Sequence, residues 1–235
     1  MSHDTPVPKS REPPSVPSVP PTMGPRESTP EPIDPRTAPA TSDNPIAEVD
    51  GQPPSKLHHI WLVAGPAGCG KTTVARHLSI SLKFPYVEGD DFHPQANIVK
   101  MSEGIPLTDA DRWDWLTLLR EESVKTLASG VEGVVVTCSA LKRKYRDVIR
   151  VAPYFSHGIR LHFIYLHAPE AVLLQRVGLR QGHYMGANMV RSQFEILEPP
   201  VAEETDVISI DVSGPLSGVC EEVVRQATRR ISDAV

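Results

Sequence analysis

An apolar run, Ile60-Trp61-Leu62-Val63-Ala64, ends on Gly65-Pro66-Ala67-Gly68-Cys69-Gly70-Lys71-Thr72, after which apolar residues recur at Val74, Leu78 and Leu82. That order predicts strand, glycine loop, helix. The spacing GxxxxGK[ST] leaves the chain few alternatives here. Its glycines let backbone N–H groups curl around a β-phosphate, and the following helix turns its positive end toward the same anion. Lys71 is placed to reach the β- and γ-phosphates and Thr72 to offer a hydroxyl to Mg²⁺. Thr73 begins the helix or touches an α-phosphate oxygen. The same cradle serves kinases, hydrolases and nucleotide switches, so its use has to be read elsewhere in the chain.

Downstream, Tyr86-Val87 reads as a short second strand, and Val134 to Cys138 and Leu161 to Leu166 as buried strands. Helical spacing covers about 109–129, through Trp115, Leu118, Leu119, Val124 and Leu127, with Asp109 or Asp111 as cap and Gly130 as stop. Further helices are expected near 142–150 and 169–180. A last strand, Val207 to Ile210, leads into a helix from Leu216 to about Ile231. Strand and helix alternating in this way imply an α/β fold, a three-layer α/β/α domain with five parallel strands. Its ligand crevice lies at the strands' C-terminal ends, where the winding reverses.

Residues 1–55 differ in kind. The first 54 residues hold 15 of the 24 prolines, with eight acidic and four basic side chains, so most of the net charge of −5 sits there. This stretch is expected to be a disordered Pro-rich extension, and residues 56–235 the P-loop domain, near neutral and not a nucleic-acid binder. Cys69, Cys138 and Cys220 have no CxxC spacing and cannot all pair, which argues for a reducing compartment. Cys69 reads as a small residue of the loop, sensitive to oxidation if partly exposed. No apolar run is long enough to span a bilayer and no secretory signal opens the chain, so a cytoplasmic protein with no membrane association is expected.

The second strand runs into Glu88-Gly89-Asp90-Asp91-Phe92-His93-Pro94. Spaced by two on extended chain, Glu88 and Asp90 would share a side. One could orient the waters of a metal while the other takes the proton of an acceptor hydroxyl. The third strand ends on Cys138-Ser139 without the metal-binding aspartate common at that place in P-loop proteins, which moves metal support to Glu88 or Asp90.

The segment Glu88 to Met101, with Gly104-Ile105-Pro106-Leu107-Thr108-Asp109-Ala110-Asp111-Arg112, strongly resembles the gluconate kinase family. Cys138 to Asp147, Arg176 with Arg180-Gln181-Gly182-His183-Tyr184, and Ser192 to Glu198 continue the likeness in family order, over about residues 58–231. The resemblance implies ATP bound on Gly65 to Thr73, Mg²⁺, and phosphorylation of D-gluconate to 6-phospho-D-gluconate for the pentose phosphate pathway. It also implies a homodimer and the sheet order 2-3-1-4-5. Two departures stand out: Glu88 replaces the family's usual Asp, and Asp114 a frequent Pro.

With a linear polyol acid as acceptor, Arg112 is the first choice of cation, followed by His93, Lys142 and, one helical turn on, Arg146. His183 and Gln193 match the family pattern on the substrate side without showing their chemistry. Asp90 is expected as base or orienter, with Lys71 on the phosphates. Arg176 and Arg180, four apart among Gly178, Gly182 and Gly186, are expected as a lid that neutralises the transferred group. Two rivals remain: another small-metabolite kinase, shikimate kinase-like, and a non-catalytic nucleotide-dependent binding protein.

Overall fold

β1 (His58–Ala64) lies in the middle of a parallel sheet because six of its seven residues are buried and both of its edges are paired. β3 (Gly133–Cys138) runs along one edge, Ile60 opposite Val134 and Ala64 opposite Cys138. β4 (Ile159–His167) runs along the other, Ile60 opposite Leu161. β2 (Tyr86–Val87) extends the sheet beyond β3 and β5 (Val207–Asp211) beyond β4, giving the order β2-β3-β1-β4-β5. This computed structural model describes residues 57–156, 158–179 and 187–233, so the Pro-rich extension, Arg180 and His183 lie outside the described residues.

The period-two alternation of buried strands divides the core into two layers. Trp61, Val63, Val135, Ile164 and Ile208 face α1 (Lys71–Leu82) and α7 (Leu216–Ser232) through Val74, Leu78, Val219 and Val223. Ile60, Leu62, Val134, Val136 and Phe163 face α3 (Ala110–Ala128) and α4 (Arg143–Phe155) through Trp115, Leu119, Tyr145 and Ile149. At the start of the strands the first layer contains polar rings. His59 Nδ1 lies 3.1 Å from His162 Nε2, and His162 stacks on Trp61 at 4.2 Å between centroids. Burial, first among the causes, lowers the pKa of both histidines, His162 to about 4.

Periodicity placed the long helices within a few residues. α3 starts with a reciprocal box, in which the Thr108 N–H and hydroxyl donate to Asp111 while the Asp111 N–H reaches the Thr108 hydroxyl at 3.4 Å. Asp109 instead accepts Lys142, Lys144 and Tyr145, tying the starts of α3 and α4 together. α4 runs five residues past its expected end, with Pro153 in its last turn. A 3₁₀ turn (Gly89–Phe92), α2 (Gln95–Ser102), α5 (Glu170–Gly178) and α6 (Ala187–Glu195) complete the described chain.

Candidate active site

The glycine loop joins β1 to α1 at the crevice where the winding reverses. Gly65, at φ 140°, passes so close to β4 that a Cβ there would meet the Leu166 carbonyl oxygen at 2.4 Å. Only glycine fits that position. Lys71 folds back to donate from Nζ to the Pro66 carbonyl at 3.1 Å, and Ala67 N–H donates to Gln193 Oε1 at 2.7 Å. Cys69 is buried, and burial, partly offset by Lys71, raises its thiol pKa. The exposure that would make it oxidisable is absent.

Glu88 and Asp90 have different surroundings. Glu88 is the last extended residue and a 3₁₀ turn begins at Gly89, so the alternation expected of extended chain does not carry through to Asp90. Glu88 turns toward the loop, where Thr72 donates to Oε2 at 2.9 Å, Tyr86 to Oε2 and Thr137 to Oε1. Burial acts to raise the Glu88 pKa, but the three hydroxyls and Lys71 outweigh it and the net shift is downward. In return burial and the Glu88 bond push the Tyr86 phenol up to about 12. The third strand thus contributes a hydroxyl that holds the second strand's carboxylate, in place of an aspartate of its own.

Asp90 lines a second cleft with Lys71, His93, Arg112, Ser139 and Gln193, and apolar Met101, Leu107 and Met189 close its side. Half of the Asp90 side-chain surface is open, yet the surrounding walls raise its pKa against the pull of Lys71. Arg112 is buried. Its guanidinium donates to Ser139 Oγ at 3.3 Å and to the Leu107 carbonyl at 3.5 Å, lies 5.4 Å from the Tyr145 ring, and leaves Nε without a partner. His93 stacks on Trp115 at 4.0 Å, and its Nδ1 is likewise unpartnered. Burial and the neighbouring Arg112 hold its pKa at about 4. Trp115, a core residue, also donates from Nε1 to the Gly89 carbonyl at 2.7 Å, bracing the turn that carries Asp90.

Three expected residues stand elsewhere. Arg146 is a correction: it is buried and grips Glu204 with bonds of 2.7 Å from both Nε and Nη2, while Nη1 reaches the Ala140 and Glu198 carbonyls. Four of its five N–H groups are spent in these bonds, and it is not among the residues that line the cleft. Lys142 is paired with Asp109 at 2.9 Å beside the cleft. Arg176 donates to the Val212 carbonyl at 2.6 Å and lines a pocket with Gly68, Gly70, Thr73, Val212, Gly214 and Leu216, on the far side of the loop from Asp90. Sequence reasoning missed this β5–α7 wall, Val212 to Val219, for which the only signal is Ser213-Gly214-Pro215 closing a strand beside the loop.

The AAA domain family matches residues 60–198. A Schizosaccharomyces pombe protein named "Probable gluconokinase" is 51% identical over 155 residues, 66% of this chain and 80% of its own. The thermoresistant gluconokinase of Escherichia coli is 38% identical over 167 residues, 71% of this chain and 92% of its own. The crystal structure of a gluconokinase from Sinorhizobium meliloti superposes with a TM-score of 0.65 at 40% identity, covering 77% of this chain and 96% of that one. A phosphate loop facing an acceptor cleft, on a sheet shared with these proteins, places this chain in the gluconokinase family of P-loop kinases.

Proposed function

We propose that the protein transfers the γ-phosphoryl group of ATP to the terminal hydroxyl of D-gluconate, giving 6-phospho-D-gluconate. The observation that carries this reading is the cleft lining, which sets the buried Arg112 cation and neutral His93 beside Asp90 and Lys71. A ligand with both a carboxylate and hydroxyls suits that lining, the first against the Arg112 cation and the second against neutral His93. Asp90, its proton affinity raised, takes the hydroxyl proton or orients the hydroxyl. Lys71, released from the Pro66 carbonyl, meets the phosphates.

The residues present fit a Mg²⁺ that enters with the nucleotide, because Thr72 gives its proton to Glu88 and keeps its lone pairs for a cation. Bound there, the ion would draw charge from the β- and γ-phosphate oxygens. Arg176 sits on the nucleotide side of the loop and belongs in this reading to ATP binding. In this reading the protein acts in the cytoplasm, as its cysteine usage suggests, and as a homodimer, as the family resemblance implies, with residues 56–235 sufficient for catalysis. No described helix is long and apolar enough to cross a membrane.

ADP release should be measured with gluconate, other sugar acids and shikimate. Turnover that favours gluconate, and an Asp90→Asn variant slowed at least about a hundredfold, are expected. Stronger turnover of shikimate would sink the substrate assignment, and no stimulation by any acid would favour a nucleotide-binding role.

A further inference from the structure

The phosphate loop is held from two sides at consecutive residues. Gly68 packs so closely on α5 that a Cβ there would lie 2.9 Å from Val177 Cγ2 and 3.1 Å from the Leu173 carbonyl oxygen. One residue earlier, the Ala67 N–H donates to Gln193 on α6, a contact across 126 positions of sequence. Gln193 is buried and lines the acceptor cleft. A backbone N–H only donates, so it must face the amide oxygen, which leaves the NH₂ end of Gln193 for the cleft. Among the described residues that NH₂ group has no hydrogen-bond partner.

We propose that Gln193 is a positioning residue that joins acceptor binding to the geometry of the phosphate loop. Its oxygen holds the Ala67 peptide while its NH₂ donates to an oxygen of the bound acceptor. The amide is planar, so its two ends cannot move independently. An acceptor that fixes the NH₂ end therefore fixes the loop peptide, and the coupling is reciprocal, with each ligand tightening the other by the same factor. The acceptor half rests on the gluconate kinase reading, whereas the loop half stands on the Ala67 contact alone.

The test uses the full chain, with binding of a non-hydrolysable ATP analogue by calorimetry with and without gluconate, alongside kcat and both KM values. Gln193→Met keeps the volume and removes both polar ends; analogue binding should weaken about tenfold and its tightening by gluconate should vanish. Gln193→Glu restores an oxygen for Ala67 but no NH₂ group. It should bind the analogue within about twofold of the parent while its gluconate KM rises about tenfold. Gln193→Met with a raised gluconate KM and unaltered analogue binding would overturn the proposal, leaving a plain acceptor contact. A lower melting temperature with every constant unchanged would overturn it too. If the parent does not turn over gluconate, the substrate reading fails, and the contrast between Met and Glu in analogue binding still decides the loop half.

Discussion

Gly89→Ala is the sharpest test of how the site is held. A Cβ built on Gly89 would stand 1.9 Å from the Thr137 carbonyl oxygen and 3.3 Å from Leu119 Cδ2. Side-chain rotation cannot relieve a clash with backbone, so the 3₁₀ turn must move away from β3 by at least about 1 Å. That shift strains two further contacts, Gly89 N–H to Thr137 Oγ1 at 2.9 Å and Trp115 Nε1 to the Gly89 carbonyl at 2.7 Å. Overpacking plus two buried hydrogen bonds weakened together cost about 4 kcal/mol, or roughly 10 °C in melting temperature for a domain of this size. Both carboxylates flank the moved residue, and a displacement of about 1 Å at a reacting group costs on the order of a hundredfold in rate. Gly218→Ala is the control, since nothing lies within 4 Å of a Cβ there and the residue is inside α7, where alanine stabilises by about 0.5–1 kcal/mol. The assays are thermal melting, nucleotide binding and coupled ADP release. The expected Gly89→Ala protein is folded, binds nucleotide nearly as the parent does, and turns over at least about a hundredfold more slowly. A destabilised variant with parental kcat would refute the claim that this close approach sets the carboxylates.

Three further outcomes follow from the same geometry. Glu88→Gln removes the charge that gathers the Thr72 and Tyr86 hydroxyls, so the Mg²⁺ concentration for half-maximal rate should rise about tenfold with the gluconate KM unmoved; an unchanged Mg²⁺ titration would clear Glu88 of that role. Arg146→Met leaves Glu204 buried with only Arg150 as charged partner, for a loss of about 3 kcal/mol by denaturant titration; a raised gluconate KM without that loss would return Arg146 to the acceptor side. His162 has a folded pKa of about 4, below its ordinary value, so the unfolded chain binds the extra proton first. Its contribution is intact above about pH 6.5 and is lost as pH falls toward 4, by about 3 kcal/mol in all, so a His162→Gln variant should show a flatter acid limb in melting temperature than the parent.

Much of the fold was legible because strand and helix leave different periods and because the glycine loop anchors the first strand and helix. The acceptor side was legible only as a set of residue types. The turn that carries Asp90 was not legible because a four-residue 3₁₀ turn has no periodic signature, and extended geometry was the natural assumption without it. Arg146 shares a helix face with Lys142, but the sequence gives no sign that Glu204, 58 residues later, returns beneath that face. The Gln193 to Ala67 contact was hidden for the same reason, since a family pattern can mark a glutamine as shared without saying what its oxygen touches.

The neutral state of His93 bears on the conditions under which the protein can work. A histidine at the usual pKa would add or withdraw a positive charge next to Arg112 as the surroundings drift between about pH 6 and 8, and affinity for an anionic acceptor would drift with it. With His93 held near 4 and the guanidinium permanently charged, the His93–Arg112 pair presents one fixed positive charge across that range. In the proposed reading, recognition of the carboxylate is thereby insulated from acidification of the surrounding medium, and the pH response falls to Asp90, the group proposed to handle the proton.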